Sequence, residues 1–371
     1  MALRLLCLDG DGIGPEIAAA TRRVVQAACD QAGCAIAFEQ ADIGFAALET
    51  TGTTFPDSVL EAAKAADGVI LGPVSHNAYP PREEGGVNPS GKLRIGLDLY
   101  ANIRPARSHP AVPTPTGAKV DLVVMRENTE GFYADRNMAS GPAEIMVSDG
   151  VAVAMRRITR HCSARIAEAG FRLAVEQGRG RVTAIHKANV MRLSDGLFLE
   201  ETRAAAARYP DIAYDEMLVD AAAAHLVRDP GRFGVLIATN MFGDILSDLA
   251  SELSGGLGLA ASLNRGDAHA VAQAQHGSAP DIAGQGVANP ASLIASAAML
   301  LAHLGQGRAA DLITAGLDSA LTRADTRTRD LGGSAGTDAM TDAIIEAITA
   351  TSLPATSLPA TPLPATDGAR A

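Results

Sequence analysis

Three acids, three arginines and one lysine occupy settings where side chains of their type could do chemistry. Asp244 and Asp248 stand four residues apart in Gly243-Asp244-Ile245-Leu246-Ser247-Asp248-Leu249-Ala250. On a helix that spacing puts both carboxylates on one face, roughly 6 Å apart, where like charges repel. A bound cation would remove the repulsion, but the pair also fits acids favoured by the dipole at a helix start, and the spacing leaves both readings open. Asp220, in Leu218-Val219-Asp220-Ala221-Ala222, is a third acid with apolar neighbours, a setting in which a carboxylate needs a partner. Oxygen-only ligation of this kind suits Mg²⁺ or Mn²⁺ rather than zinc. Arg94, Arg104 and Arg126 each interrupt an apolar segment. Their forked donors match a carboxylate bidentately, and each taken singly also fits a structural salt bridge. Lys187, between the apolar run Val182 to His186 and Ala188-Asn189-Val190, reads on its own as a strand-end lysine.

Two loops complete the inventory. Gly10-Asp11-Gly12-Ile13-Gly14 is no dinucleotide fingerprint, because Pro15 stands where that motif needs its last glycine. The segment His276-Gly277-Ser278-Ala279-Pro280-Asp281-Ile282-Ala283-Gly284 could wrap a ligand with backbone groups or serve only as a turn.

The elements that must position these residues follow from apolar runs and breakers. Leu3 to Leu8 reads as a buried strand, and the glycine-rich turn with Pro15 near the first helical position opens a helix to about Ala32. Val69 to Leu71 is a second strand, ended by Gly72-Pro73, and the Pro-, Gly- and Asn-rich stretch from Ser75 to Gly91 reads as a loop. Asp121 to Met125, Val182 to His186 and Phe233 to Thr239 are further strands, the last leading through Asn240-Met241-Phe242-Gly243 into the helix that carries Asp244. Strands alternating with helices predict an α/β fold with a largely parallel sheet. Near the end, Leu-Pro-Ala-Thr recurs every five residues from Leu353 to Thr366, a pattern that forbids both helix and ladder and predicts a disordered tail over 351–371.

Composition narrows the function. With 371 residues, 47% of them hydrophobic, the chain can bury a sizeable core. A net charge of −11 without a dense Lys/Arg run excludes the electrostatic footprint of a nucleic-acid binder. No export signal and no membrane span are expected, since no basic leader precedes the first strand and no window reaches ~18 uninterrupted apolar residues. Four cysteines without a CxxC pair or metal spacing fit a reducing cytoplasm.

Taken together in chain order, six motifs carry a resemblance. They are Gly10 to Glu16, Asp98 to Pro105, Arg126-Glu127-Asn128-Thr129-Glu130-Gly131-Phe132-Tyr133, His186-Lys187-Ala188-Asn189-Val190, Gly243 to Ala250, and His276 through Asn289-Pro290. The sequence resembles the isocitrate and isopropylmalate dehydrogenase family of metal-dependent β-decarboxylating dehydrogenases over residues 1 to about 345. The resemblance implies that family's two-domain α/β fold with a mixed, largely parallel sheet, not the doubly wound dinucleotide fold. It implies a large cofactor-binding domain from 1–100 plus 255–350 and a smaller dimerisation domain from 101–254, with active sites shared between two copies. The implied reaction oxidises a 3-substituted (2R)-malate with NAD and releases CO₂. Arg94, Arg104 and Arg126 would hold substrate carboxylates, and Asp244 and Asp248, with Asp220 of the other copy, would hold Mg²⁺ or Mn²⁺. Lys187 matches the family's base and Tyr133 its acid.

For the cofactor, the resemblance implicates Asn189, His276, Gly277, Ser278, Ala279, Asp281, Ile282 and Asn289. Asp281-Ile282 matches NAD-using members, whereas NADP-using isocitrate enzymes carry Lys-Tyr. Two departures stand out: Gln273 replaces an acid the family usually has just before this loop, and Asp9 replaces Pro or Glu. The polar run Asn88-Pro89-Ser90-Gly91-Lys92 stands where isopropylmalate enzymes carry leucines, so Ser90 is expected to bind a polar substrate end. The isocitrate and homoisocitrate branch is accordingly the expected one, with 3-isopropylmalate or tartrate as alternative substrates. A non-catalytic regulatory subunit is the alternative of another class; it requires loss of Tyr133, Lys187, Asp220, Asp244 or Asp248, all of which are present.

Overall fold

The computed structural model describes residues 2–132 and 144–351; Tyr133 and the repeats from residue 352 onward lie outside the described residues. Twelve strands are described: β1 (Leu3–Leu8), β2 (Ile36–Gln40), β3 (Gly68–Leu71), β4 (Ala101–Arg107), β5 (Asp121–Glu127), β6 (Glu144–Ser148), β7 (Val151–Ala154), β8 (Arg181–His186), β9 (Ala213–Leu218), β10 (Val235–Ala238), β11 (Leu263–Arg265) and β12 (Ala270–Gln273). The helices among them are α1 (Gly14–Ala32), α2 (Gly44–Thr51), α3 (Asp57–Ala65), α4 (Pro89–Gly96), α5 (Arg160–Glu176), α6 (Ser194–Ala206), α7 (Val219–Arg228), α8 (Asn240–Ser254), α9 (Ala291–His303), α10 (Gly307–Thr322) and α11 (Thr337–Ala350). Ten strands form one sheet in the order β2-β1-β3-β12-β11-β4-β5-β10-β8-β9, while β6 and β7 pair only with each other.

The expected largely parallel sheet is present with a mixed centre. Pairing is parallel on both flanks, from β2 to β12 and from β5 to β9. The three central junctions, β12 with β11, β11 with β4 and β4 with β5, are antiparallel. Helices cover both faces, which is why strands such as Val235–Ala238 are continuously apolar and fully buried.

Alternation along the strands sorts residues between the faces. Leu5 and Cys7 of β1 and Val123 and Met125 of β5 join a core with α1, α5, α9, α10 and α11. On the opposite face two separate apolar clusters form. One contains Leu6, Leu8, Val69 and Leu71 with Leu93 of α4, and the other contains Leu122, Val124 and Leu236 with Phe242 and Leu246 of α8. Between them the same face of the central strands carries Asn102, Arg104, Arg126, Asn264 and Gln273. The polar gap in the core is where the site lies.

One expected loop is corrected. The stretch from Ser75 to Gly91 holds two 3₁₀ turns, and its last residues already belong to α4. Asn88 is the N-cap, its side chain accepting from Gly91 N at 3.2 Å, and Pro89 takes the first helical position. Asn-Pro is a helix-start signal of its own. Ser90 and Arg94 therefore lie one turn apart on one helix face.

Candidate active site

A cleft of about 340 Å³ lies over the polar gap, lined by Ser90 and Arg94 from α4, Arg104, Arg126, Asp244, Asp248, Gln273, Gln275 and His276. Arg104 Nη1 donates to Asp244 Oδ1 at 3.2 Å, Asp248 Oδ1 at 3.3 Å and Ser247 Oγ at 2.8 Å. Arg126 also pairs with Asp244, and its Nε and Nη2 grip Asn240 Oδ1 at 2.9 and 2.7 Å. Gly243 lets α8 come this close, since a Cβ there would lie 2.7 Å from Arg126 Cβ. The arginine side chains are buried, at 7% and 3% exposure, while Asp244 and Asp248 form the rim at 34% and 53%. Burial and the neighbouring Arg126 push the Arg104 guanidinium down to about 10, which leaves it a cation at neutral pH.

These contacts decide between the two readings of the acid pair. Asp244 lies in the second turn of α8, and the first turn carries no acid. The dipole effect fades within that first turn, so it does not account for the pair. The pair instead neutralises two buried cations. A divalent ion also fits the donors, which are all oxygen: two partly exposed carboxylates beside Gln275. That side chain donates from Nε2 to Asp248 Oδ1 at 2.7 Å, while its buried Oε1 has no partner. Among the described residues of the single chain, no group of three His, Cys, Asp or Glu side chains could hold a metal.

A second cleft of about 430 Å³ opens beside the first, lined by Ile13, His276, Gly277, Ala279, Ile282, Asn289 and Asp330 among others. The two share His276 and Gly277. The motif Gly10 to Glu16 clamps this loop. Ile13 N donates to Ser278 O at 2.9 Å, Ala288 N donates to Glu16 Oε1 at 3.1 Å, and a Cβ on Gly12 would fall 2.0 Å from Ser278 O. Ser278 Oγ bonds Ser75 Oγ at 2.7 Å, so its side chain fastens the loop and does not line the cleft. Burial lowers the His276 imidazole below its usual pKa, and its Nδ1 contacts Gly277 O at 2.9 Å.

A model of the family described as isocitrate/isopropylmalate dehydrogenase matches residues 4–348. The chain belongs to that family. It is 42% identical to the isocitrate/homoisocitrate dehydrogenase of Thermus thermophilus over 94% of this chain and 99% of that protein. Against the 3-isopropylmalate dehydrogenase of Archaeoglobus fulgidus the identity is 39%, over 89% and 94% of the two chains. The crystal structure of isocitrate dehydrogenase from Methylococcus capsulatus superposes with a TM-score of 0.85 at 39% identity, covering 93% of this chain and 99% of that one. This is a dehydrogenase family, and its members named here act on different hydroxy acids.

Not every expected residue meets at these clefts. Lys187 and Asp220 bind each other, Nζ to Oδ1 at 2.5 Å, at the ends of β8 and β9 and outside both clefts. The hydrogen bond from Lys187 holds the Asp220 carboxyl below its usual pKa. Asn189 is exposed on the same turn as Lys187, and Asp281 is exposed beside Ile282; neither lines the second cleft. Four acids escaped sequence reasoning. Asp11, nearly buried between two glycines, accepts from Phe45 N, Ser75 N and the Tyr79 hydroxyl. Glu16 holds the loop as described. Asp195, fully buried, ties Lys187 N to Arg156, each at 2.5 Å. Asp330 accepts from Asn289 Nδ2 at 2.8 Å. The Asp9 departure has a simple physical partner in Arg22, at 2.5 Å.

Proposed function

We propose that the chain is an NAD-dependent dehydrogenase that oxidises the C2 hydroxyl of a 3-substituted (2R)-malate with a carboxylate-bearing C3 substituent and releases CO₂ from C3. One observation carries the reading: the cationic cleft and the loop-lined apolar cleft meet at His276 and Gly277, so an acid in the first and a nucleotide in the second would touch. When bound, Mg²⁺ or Mn²⁺ supplies Lewis acidity toward an oxygen of the hydroxy acid, and the nicotinamide supplies the hydride acceptor. Asp244 and Asp248, with Asp220 from a second copy, would hold the metal.

The chain's own groups do the rest. Arg94, Arg104 and Arg126 would bind the carboxylates and orient the acid in the cleft that His276 borders. Lys187 of a second copy takes the C2 hydroxyl proton, and Tyr133 returns a proton to C3 after CO₂ leaves. Arg94 offers only donors to the C3 substituent and the Ser90 hydroxyl can add one more, which favours a carboxylate over an isopropyl group. For the cofactor, Asp281 adjoins Ile282, which lines the apolar cleft, and a carboxylate at its edge would disfavour a 2′-phosphate.

A second copy is supported by the surface. Ile145, Met146, Val147, Val151 and Val153 of the β6–β7 hairpin are exposed, as are Leu193, at 91%, and Ile245. A two-stranded hairpin with an apolar surface is marginal in water alone, and an apolar patch of this kind marks a protein interface. We place the boundary between a large domain of 1–100 plus 255–350 and a smaller one of 101–254 at the β11–β4 junction. Four free cysteines fit a reducing cytoplasm.

The test is NAD reduction with Mn²⁺ against isocitrate, homoisocitrate, 3-isopropylmalate, tartrate and malate, repeated with NADP. Isocitrate or homoisocitrate with NAD should give the highest kcat/KM. A best rate with 3-isopropylmalate, or with NADP, overturns the corresponding part of the reading.

A further inference from the structure

Lys187 lies outside both clefts of its own chain, so whatever aims it decides where its amine can act. Both of its backbone polar groups are fixed. Lys187 O accepts from Val190 N and Met191 N, each at 2.9 Å, which closes a turn directly after β8. Lys187 N donates to Asp195 Oδ2 at 2.5 Å, and Asp195 N donates to Met191 O at 3.0 Å. The acid in the first turn of α6 thus grips that turn at both ends.

Asp195 is itself held from behind. Arg156 Nη1 donates to Asp195 Oδ1 at 2.5 Å and to Ser194 Oγ at 3.0 Å, while Nη2 donates to Thr239 Oγ1 at 2.9 Å. Thr239 directly follows β10, the strand beside β8, so one guanidinium spans the ends of two neighbouring strands. The Asp195 side chain is fully buried and that of Arg156 is 8% exposed, with the Phe242 ring centroid 5.6 Å from the guanidinium carbon. A buried ion pair contributes little stability beyond a well-packed apolar pair, but groups with fixed donor and acceptor roles define one geometry. Each carboxylate oxygen has its own task here: Oδ1 meets the cation and Oδ2 the Lys187 amide.

We propose that Asp195, clamped by Arg156, is a positioning residue that fixes the Lys187 backbone and so sets where the amine reaches in the site of a second copy. The inference rests on the proposed dehydrogenase reading, in which Lys187 takes the hydroxyl proton, and adds a residue to that same site. From the pinned backbone the Lys187 amine reaches Asp220 in the first turn of α7, at 2.5 Å, so the clamp presents both groups as one unit. Proton transfer needs hydrogen-bond distance, and a misplacement of about 1 Å can cost about a hundredfold in rate. Asp195→Asn is the discriminating change, because an amide keeps a single acceptor oxygen. That oxygen stays with the charged guanidinium and the NH₂ meets the Lys187 N–H, donor against donor.

The experiment measures steady-state kinetics with isocitrate, amide hydrogen exchange and subunit mixing on the full-length protein. Asp195→Asn should lower kcat about ten- to a hundredfold with KM for isocitrate changed by about twofold or less, because the arginines that hold the acid belong to the other copy. Without metal or substrate, the peptide containing Lys187 should exchange about tenfold faster, whereas the α8 peptide around Asp244 should not change. Mixed with Asp244→Asn chains, Asp195→Asn chains should recover about a quarter of the unaltered activity. Mixed with Lys187→Met chains they should recover nothing beyond their own residual rate, because both changes damage the same half-site. A rise in KM alone, unchanged exchange at Lys187, or recovery with Lys187→Met instead of Asp244→Asn would each overturn the proposal. If Asp195→Asn does not fold, Arg156→Lys replaces it, since a lysine keeps the charge but not the fork that spans Asp195 and Thr239. The same faster exchange at Lys187 and the same mixing pattern are then expected, and unchanged exchange overturns the role. An unaltered protein that oxidises no hydroxy acid sinks the dehydrogenase reading and the role that rests on it. Turnover that Asp195→Asn leaves intact sinks the positioning role alone.

Discussion

Replacing Asp244 by Asn separates two accounts of the acid pair by the sign of a stability change. If repulsion from Asp248 dominated, neutralising Asp244 would stabilise the chain by a few tenths of a kcal/mol, the size of an exposed like-charge pair one helical turn apart, roughly 0.2–0.5 kcal/mol. The ion pairs argue the opposite. Asp244 serves both Arg104 and Arg126, and without it Arg104 still has Asp248, at 3.3 Å and half exposed. Removing one member of a buried pair costs ~3–5 kcal/mol. Because a third of the Asp244 side chain is open to solvent, screening reduces the expected cost to about 2–3 kcal/mol. An unfolding entropy of ~0.8 kcal/mol/K for 371 residues converts this to a fall of about 3–4 °C in Tm. Scanning calorimetry at fixed protein concentration, with and without Mn²⁺, is the assay. The unaltered protein should gain stability with Mn²⁺, because only a folded state that binds the ion is favoured by it. Asp244→Asn should start lower, gain little and show no turnover. A midpoint at or above that of the unaltered protein would refute the reasoning.

Two further outcomes follow from the placement of Lys187 and His276. Lys187→Met and Asp244→Asn chains, each inactive alone, should on mixing and re-equilibration recover about a quarter of the unaltered activity, since half the dimers are mixed and each has one intact site; no recovery despite subunit exchange argues against shared sites. Burial lowers the His276 pKa, so the folded ring stays neutral as pH falls through 6.5, where an unfolded one gains a proton. Stability from this group is therefore present above pH 6.5 and lost as pH falls through the lowered value. KM for the cationic nicotinamide should likewise stay flat down to pH 6.5 and climb only below it, and a climb centred above pH 6.5 contradicts the assignment.

The strands around the site were legible because each is a continuous apolar run closed by a breaker, and β1, β3, β5, β8 and β10 fall where those runs stand. The arginines and the acid pair were legible for a related reason: charge inside an apolar segment is costly and so conspicuous. What could not be read was which charge meets which. Spacing predicted repulsion between Asp244 and Asp248 and suggested a helix dipole, whereas the structure supplies Arg104 and Arg126 from strands over a hundred residues away. The start of α4 was missed because Pro and Gly signal both a loop and a helix entry, and only the Asn88 cap distinguishes the two. Asp195 gave no signal in sequence, since a lone acid near a helix start is ordinary until its burial is seen.

A hydrogen-bonded line of side chains under the cleft, from Arg104 through Asn102 and Asn264 to Gln273 and Ser90, shows why polarity is harder to read than placement. Asn102, Asn264, Gln273 and Ser90 are neutral, and each is unremarkable in its own segment. An amide can turn either way, so residue type alone leaves the direction of every link undecided. Direction enters through groups that cannot reverse, here a guanidinium at one end and the Leu99 and Val271 carbonyls along the way. The guanidinium orients Asn102 and through it Asn264, whose oxygen and nitrogen are both engaged, whereas Asn128 is oriented only by what its nitrogen donates to, since its buried Oδ1 has no partner. Arg104 thus reaches Gln273 through Asn102 and Asn264, although no side chain of one touches the other.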